Sequence, residues 1–285
     1  MTLAAATWVG PQLFDGAAAK DRLREATRGD SDLRYTVTYL DGGYDLVLPP
    51  DATLTAGQKA VLGHWGSGDQ LSGLEALTAQ LRAAGAADPN VLTVRVTLEG
   101  RRNQPVKIDA IEAVNVQRRN PYSGIFLSIP PQGPGNTIKM MLNLDEVRPV
   151  VRAAIPVPSG DPPRTTERDG VRPGSPYFAD KTLTIDDAEE DALVVQSIAA
   201  RWATSFDLRI TYRLGDQTRS LLVDNDGHPF AVTPLNCIDH SVSDRGQLVS
   251  EGHVSYQQVW ELKNDFTGAA PVADPHHYPI GFPYC

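Results

Sequence analysis

Val91-Leu-Thr-Val-Arg-Val-Thr-Leu98 is the stretch that decides the fold class. Leu92, Val94, Val96 and Leu98 alternate with Thr93, Arg95 and Thr97. A period of two sends successive side chains to opposite sides of an extended backbone, so this is a strand with one buried face. The same spacing returns downstream. Val106, Ile108 and Ala110 open a second strand; Ile111 breaks the phase before Val114 and Val116 resume it, which predicts a bulge. Ile125 to Ile129 is a short apolar run, and Ile138, Met140, Leu142 and Leu144 alternate with Lys139, Met141 and Asn143. Leu183 and Ile185, then Ala192 to Ala200, make two further strands. Leu208, Ile210, Tyr212 and Leu214 alternate with Arg209, Thr211 and Arg213. Gly215-Asp216 and Asp224-Asn-Asp-Gly227 read as turns leading into Ser220–Val223 and Phe230–Val232. About nine short strands joined by polar turns predict a mainly β chain, with an antiparallel, immunoglobulin-like β-sandwich over residues 91–235.

One stretch breaks the pattern. Ile155 to Pro176 carries Pro156, Pro158, Pro162, Pro163, Pro173 and Pro176. Proline has no N–H to donate to a ladder, so residues 155–176 are expected to be a long exposed loop within the sandwich.

Upstream, residues 31–90 form a small α+β portion. Tyr35, Val37 and Tyr39, the turn signal Asp41-Gly42-Gly43, and Tyr44, Leu46 and Leu48 predict a hairpin. Thr55 caps a short helix through Leu62. A second helix runs from Gln70 to Ala84, with Leu71, Leu74, Leu77 and Leu81 in one stripe and Gly85 as its stop. Residues 1–30 hold a helix from Pro11 to Arg28, preceded by an apolar start with two readings: an ordinary N-terminus, or the remnant of a membrane anchor with Trp8 at the interface. Residues 236–285 are expected to be an irregular tail, with Val254 to Leu262 a strand or a short helix.

The chain has 285 residues, a formal net charge of −9 and a pI near 5.1. An acidic surface repels phosphate backbones and argues against nucleic-acid partners. Arg101-Arg102 and Arg118-Arg119 are read as polar strand ends and turns. Cys237 and Cys285 stand outside any Cys-x-x-Cys pair, which disfavours a metal site. A disulfide pinning the tail and two unrelated thiols are both open readings.

A resemblance joins several of these segments. Val94-Arg-Val-Thr-Leu-Glu-Gly-Arg101, Pro105-Val-Lys-Ile-Asp-Ala-Ile-Glu-Ala-Val114, Tyr177-Phe-Ala-Asp180 and Asp224-Asn-Asp-Gly-His-Pro-Phe230 together resemble an uncharacterised β-rich module common in high-GC Gram-positive bacteria. The likeness covers residues 91 to 233. In that family the module often sits outside the membrane behind a single N-terminal anchor helix. The resemblance therefore implies a membrane-associated or extracytoplasmic setting; a chain complete as given would instead be cytoplasmic. It implies no activity.

Several constellations invite chemistry, and each has a plainer reading. Asp224-Asn-Asp-Gly227 resembles the start of a calcium loop, but the twelfth position is Leu235 where such a loop needs Glu; a turn explains the residues. His64, Ser67 and Asp69 lie close in sequence, yet Trp-Gly-Ser-Gly is no nucleophile elbow, and Ser67 or Asp69 suits a helix cap. His276-His277 sits in a Pro- and Tyr-rich tail, and His228 in a turn. Asp186, Asp187, Glu189, Glu190 and Asp191 read as a solvated turn that discourages edge pairing. No catalytic, cofactor-binding or metal residue is assigned, and no cofactor is expected. The leading expectation is a non-enzymatic binding module with a protein partner, contacted through the 155–176 loop and the tail. The alternatives are a hydrolase with His64, Ser67 and Asp69 between the α+β portion and the sandwich, and a structural or sensory ectodomain.

Overall fold

The computed structural model describes residues 31–40, 44–65, 71–130, 139–158, 170–239 and 252–280. The helix expected at Pro11–Arg28 and the apolar start lie outside the described residues. The protein is mainly β. In chain order its elements begin with strands β1 (Leu33–Tyr39) and β2 (Leu46–Val47), then helices α1 (Ala56–Gly63) and α2 (Leu71–Ala83). Next come β3 (Asp88–Pro89), β4 (Val91–Gly100), β5 (Val106–Arg119), β6 (Ile125–Ser128), β7 (Met140–Asn143), β8 (Arg152–Pro156) and β9 (Val171–Pro176). They are followed by β10 (Leu183–Ile185), β11 (Glu190–Ile198), β12 (Ala203–Leu214), β13 (Gln217–Val223) and β14 (Phe230–Thr233). The tail adds β15 (Cys237–Asp239), β16 (Gly252–Val254), β17 (Gln258–Leu262), β18 (Ala269–Pro271) and β19 (Tyr278–Ile280).

The period-two stretch is β4, and Leu92, Val94, Val96 and Leu98 are all buried. It lies in a six-stranded sheet of order β1-β4-β11-β7-β8-β9. A second sheet runs β10-β5-β12-β14-β3, with β13 also on β12. The inward residues of both sheets merge into one buried cluster, from Val94 and Val195 on the first to Ile108, Phe206 and Phe230 on the second. Two sheets sharing one apolar interior account for the alternation on β4 and β12. Most pairs are antiparallel, but β7·β11, β3·β14 and β6·β17 are parallel.

A smaller unit sits on a four-stranded sheet, β18-β17-β6-β2. Ile125 and Leu127 of β6 face one cluster with Leu74, Leu77 and Leu81 of α2. Phe126, between them, faces another with Tyr256, Val259 and Tyr278 of the tail. β6 is buried on both sides, which is why its sequence is a continuous apolar run rather than an alternation. Thr55 caps α1 with a full capping box, its side chain accepting from the Gln58 N–H while the Gln58 side chain accepts from the Thr55 N–H. α2 ends in a Schellman arrangement: Gly85 takes φ +95°, its N–H donates to Arg82 O, and Ala86 N–H donates to Leu81 O.

Four expectations need correction. The hairpin at Tyr35–Leu48 does not form: β1 pairs with β4 (Leu33↔Gly100), while β2 pairs with β6 (Leu46↔Leu127) in another sheet. Each strand finds a longer or better-buried partner than its neighbour in sequence. Residues 155–176 are not all loop, because β8 and β9 pair antiparallel across that stretch. β9 is the last strand of its sheet, and prolines are tolerated at an edge where one row of backbone groups faces solvent. Residues 159–169, the middle of the expected loop, lie outside the described residues. The tail is not wholly irregular, since β15 to β19 fall within it and β17 lies parallel to β6. The bulge lies near Ile111 but not on it. Pairing steps from Tyr212↔Ile108 to Thr211↔Ala110, so Asp109 is the extra residue, and Ile111 and Ala113 then point inward in place of Val114, while Val116 packs against the core beyond a second irregularity. Arg102 lies in the bend that follows β4, as its reading as a strand end or turn expects, and it is buried there.

Candidate functional site

The long strand β12 makes one depression. Along one side it pairs with β5 throughout; along the other it pairs first with β14, then with β13. Both neighbours run antiparallel to it, so β13 and β14 lie end to end, and residues 224–229 project between them. Asn225 and His228 close this projection with paired backbone hydrogen bonds, and Asp226 (φ 51°) and Gly227 (φ 83°) form its tip. On β12, Thr204, Phe206 and Leu208 point into the core, so Ala203, Ser205 and Asp207 face outward. An open cleft of about 520 Å³ lies against this outer face.

The floor of the cleft is made of small side chains. Ser205 stands between Gln117 on β5 and Ala231 on β14, and Ala203 stands beside Arg119. Longer groups make the rim: Arg119 and Tyr122, the 224–229 projection, and the last turn of α2. A second β5 irregularity shapes one end, where Phe206 faces two residues and Asn115 adopts φ 53°. The turned-out Asn115 amide donates to Asp207 Oδ2 at 2.7 Å.

The charges of the rim are unequally committed. Arg82 holds buried Asp88 with Nε (3.1 Å) and Nη2 (2.6 Å), and its guanidinium lies 4.0 Å from the centre of the Tyr39 ring. Burial pushes the Asp88 carboxyl up, and Arg82 pulls it back. Asp224 Oδ1 accepts from Tyr35 Oη (3.2 Å) and from Gly227 N–H (3.0 Å). Among the described residues, Asp207 Oδ1 and Asp224 Oδ2 accept no hydrogen bond, and Arg119 makes no ion pair. Burial pushes the Tyr122 hydroxyl up, and the charge of nearby Arg119 lowers it again. The cleft therefore offers two half-used carboxylates at one end and an uncommitted guanidinium at the other.

A separate buried cluster ties the two large sheets together. Asp32, just before β1, accepts from Arg102 Nε (2.6 Å), Tyr212 Oη (2.8 Å) and Arg219 Nη1 (2.7 Å). Asp32 and Arg102 are 2% and 4% exposed, which leaves no room for bulk water between them. Burial pushes the Asp32 carboxyl up, but the three donors and the Arg219 charge outweigh it and hold it below the usual range. Tyr212 is pushed up by burial and by Asp32. Asp32 and Arg102 are shut in while Arg219 reaches the pair from the solvent side with its own side chain 38% exposed, and the cluster is structural.

The sequence-predicted sites fare differently. Asp224–Gly227 is the turn it was read to be, and His228 lies in it while also lining the cleft. His64 is an exposed residue just past α1, with its N–H bonded to Ala60 O and Val61 O; Ser67 and Asp69 lie outside the described residues. Of the acidic run, Asp186, Asp187 and Glu189 lie in the connection from β10 to β11, which turns through Ala188 at φ 57°, while Glu190 and Asp191 open β11 and pair with Glu99 and Leu98 of β4. The connection packs on Gly100, where a Cβ would stand 2.1 Å from Asp186 O. Arg118 donates to the carbonyls of Leu144 and Glu146. Cys237 is disulfide-bonded, and Cys285 is the other cysteine of the chain.

The tail histidines come together with a third that sequence reasoning had not joined to them. His277 stacks on His253 with centroids 3.9 Å apart and planes 8° apart. A metal lies in the plane of each imidazole it binds, so two parallel stacked rings cannot share one. His276 Nδ1 is 3.4 Å from Ser255 Oγ, while Asp274 accepts the His276 backbone N–H instead of orienting its ring. A nucleophile–base pair needs that third group. Among the described residues no set of three or more His, Cys, Asp or Glu side chains is placed to hold a metal. The cleft residues were missed because Asn115, Gln117 and Arg119, or Ser205 and Asp207, read singly as ordinary solvent-facing strand positions; the one usable signal was the repeated polar outward face at the ends of two long strands. No protein-family model matches the chain, and no curated protein matches it either.

Proposed function

We propose that this chain is a non-enzymatic binding module whose ligand seats in the cleft on the outer face of β5, β12 and β14. The observation that carries this reading is the contrast within the cleft: a floor of Ala203, Ser205 and Ala231 under a rim of charged and aromatic groups. An ordinary solvent-facing sheet has no reason to clear such a floor, and ligand sites are concave with few convergent polar groups. The partner we favour is peptidic. The immunoglobulin-like description of the two large sheets belongs to this proposal as well, supported by two mainly antiparallel layers over one core.

The test is a thermal-shift screen of polar small molecules and short peptides against wild type and Ser205→Trp, which fills the floor. A ligand binding the native state raises Tm by mass action. At least one compound is expected to raise Tm for wild type and not for the variant. A screen in which every shift is shared by both proteins would remove the cleft from consideration.

A second reading, an ectodomain in an oxidising compartment, is favoured by the disulfide at Cys237. Thiol labelling of the protein recovered from its native host checks it: protection of Cys237 that reductant removes is expected, and a freely labelled thiol would refute it.

A further inference from the structure

We propose that the cleft takes a short zwitterionic peptide of about two or three residues, its ammonium held by Asp207 and Asp224 and its carboxylate by Arg119. This rests on the cleft being the binding site, and adds the class of ligand.

The argument begins with the two aspartates. The β12·β13 ladder ends at Leu208↔Val223; Asp207 precedes Leu208 on β12, Asp224 follows Val223 past the end of β13, and both line the cleft. Like charges facing each other across strands repel. Each carboxylate has one oxygen tied down, by Asn115 in one case and by Tyr35 and Gly227 in the other, and one without a partner among the described residues. A cation between them relieves the repulsion and satisfies both. With no third ligating side chain placed among the described residues, an ammonium with its three donors fits better than a metal ion.

The other end carries opposite charge. Arg119 pairs with Ala203 and Asp207 with Val114, so the two poles stand four steps apart along β12. That is about 13 Å between Cα positions. An arginine side chain spans roughly half of it, and an extended peptide adds about 3.3–3.6 Å per residue. With the Arg119 side chain standing up from the sheet rather than lying along it, a single amino acid, whose two charges share one carbon, does not reach both poles, and two or three residues do. Between the poles, Gln117 and Ser205 offer donors and acceptors to peptide groups, and Ala203 and Ala231 leave space for ligand side chains of differing size. Recognition therefore reads the two termini rather than the side chains.

The experiment is calorimetry with amide NMR on the full chain, using trialanine, N-acetyl-trialanine, trialanine amide and putrescine, against wild type, Asp207→Asn and Arg119→Ala. Trialanine is expected to bind saturably and to shift resonances of Ser205 and Ala231. N-acetylation and Asp207→Asn are each expected to weaken it at least about tenfold, and amidation and Arg119→Ala by a similar factor. Because the capped peptides are tested on wild type, the outcome does not depend on how the variants fold. Equal binding of capped and free peptides overturns the proposal. Putrescine shifting the cleft without trialanine binding overturns the peptide assignment and leaves the cleft as a cation site. If no probe moves the cleft resonances, the zwitterionic-peptide assignment falls, and the cleft itself stands or falls by the Ser205→Trp screen.

Discussion

At the scale of single residues, the Asp32 cluster has the clearest energetic consequence. One carboxylate receives three donors from three separate segments, and two of the partners carry charge. Removing Arg102 leaves Asp32 buried with its neutralisation incomplete. Arg102→Ala is expected to destabilise the fold by about 3–5 kcal/mol in urea denaturation, with an unchanged m value. The pH dependence follows from Asp32 itself. Its carboxyl titrates in the folded protein below its ordinary value of 3.8. The native state therefore binds fewer protons than the unfolded chain there. The contribution of Asp32 is complete above that ordinary value and is lost as pH falls through the lower folded one. Asp32→Asn should flatten the acid limb of a stability–pH profile relative to wild type; an unchanged acid limb would place the sensitivity elsewhere.

At the scale of elements, end signals are sharp and can be tested singly. The Thr55–Gln58 capping box satisfies the first turn of α1, and Thr55→Ala is expected to cost about 1 kcal/mol. Gly85→Ala puts a Cβ on a left-handed residue at the end of α2, at a cost of about 1–2 kcal/mol. Gly100→Ala is a different kind of change, because the new Cβ meets the Asp186 carbonyl at 2.1 Å. The β4 end and the acidic turn must move apart, so Gly100→Ala should exceed Gly85→Ala in the same denaturation series. These elements were legible in sequence because caps, glycine stops and period-two faces are local: Thr55, Gly85 and the Leu92–Leu98 alternation each act within a few residues. The Tyr35–Leu48 hairpin was not legible. Its turn signal and both its strands were present, yet neither strand took the other as partner.

At the scale of the whole molecule, the chain order and the packing order differ. β2 from the early part, β6 from the middle and β17 from the tail share one sheet, buried on both faces. A protein ending after Thr233 would leave Phe126 and Val47 without Tyr256, Val259 and Tyr278 above them. Such a truncation is expected to expose apolar surface, bind a hydrophobic dye and self-associate in gel filtration. Phe206→Ala, between the two large sheets, should cost about 3–5 kcal/mol and lower a single cooperative transition.

Read alone, the amino-acid sequence determined the mainly β character, the faces of β4 and β12, the two helices, their ends, and the turns at Gly215 and Asp224–Gly227. These are consequences of backbone sterics and of alternating solvation, which operate between near neighbours. Only the tertiary structure decided which strands pair, that Arg102 is buried against a carboxylate seventy positions away, and that two unremarkable polar faces border a cleft. A strand's backbone groups are the same whatever its sequence and accept any neighbour of matching length, so the choice rests on how much apolar surface the complete assembly removes from water.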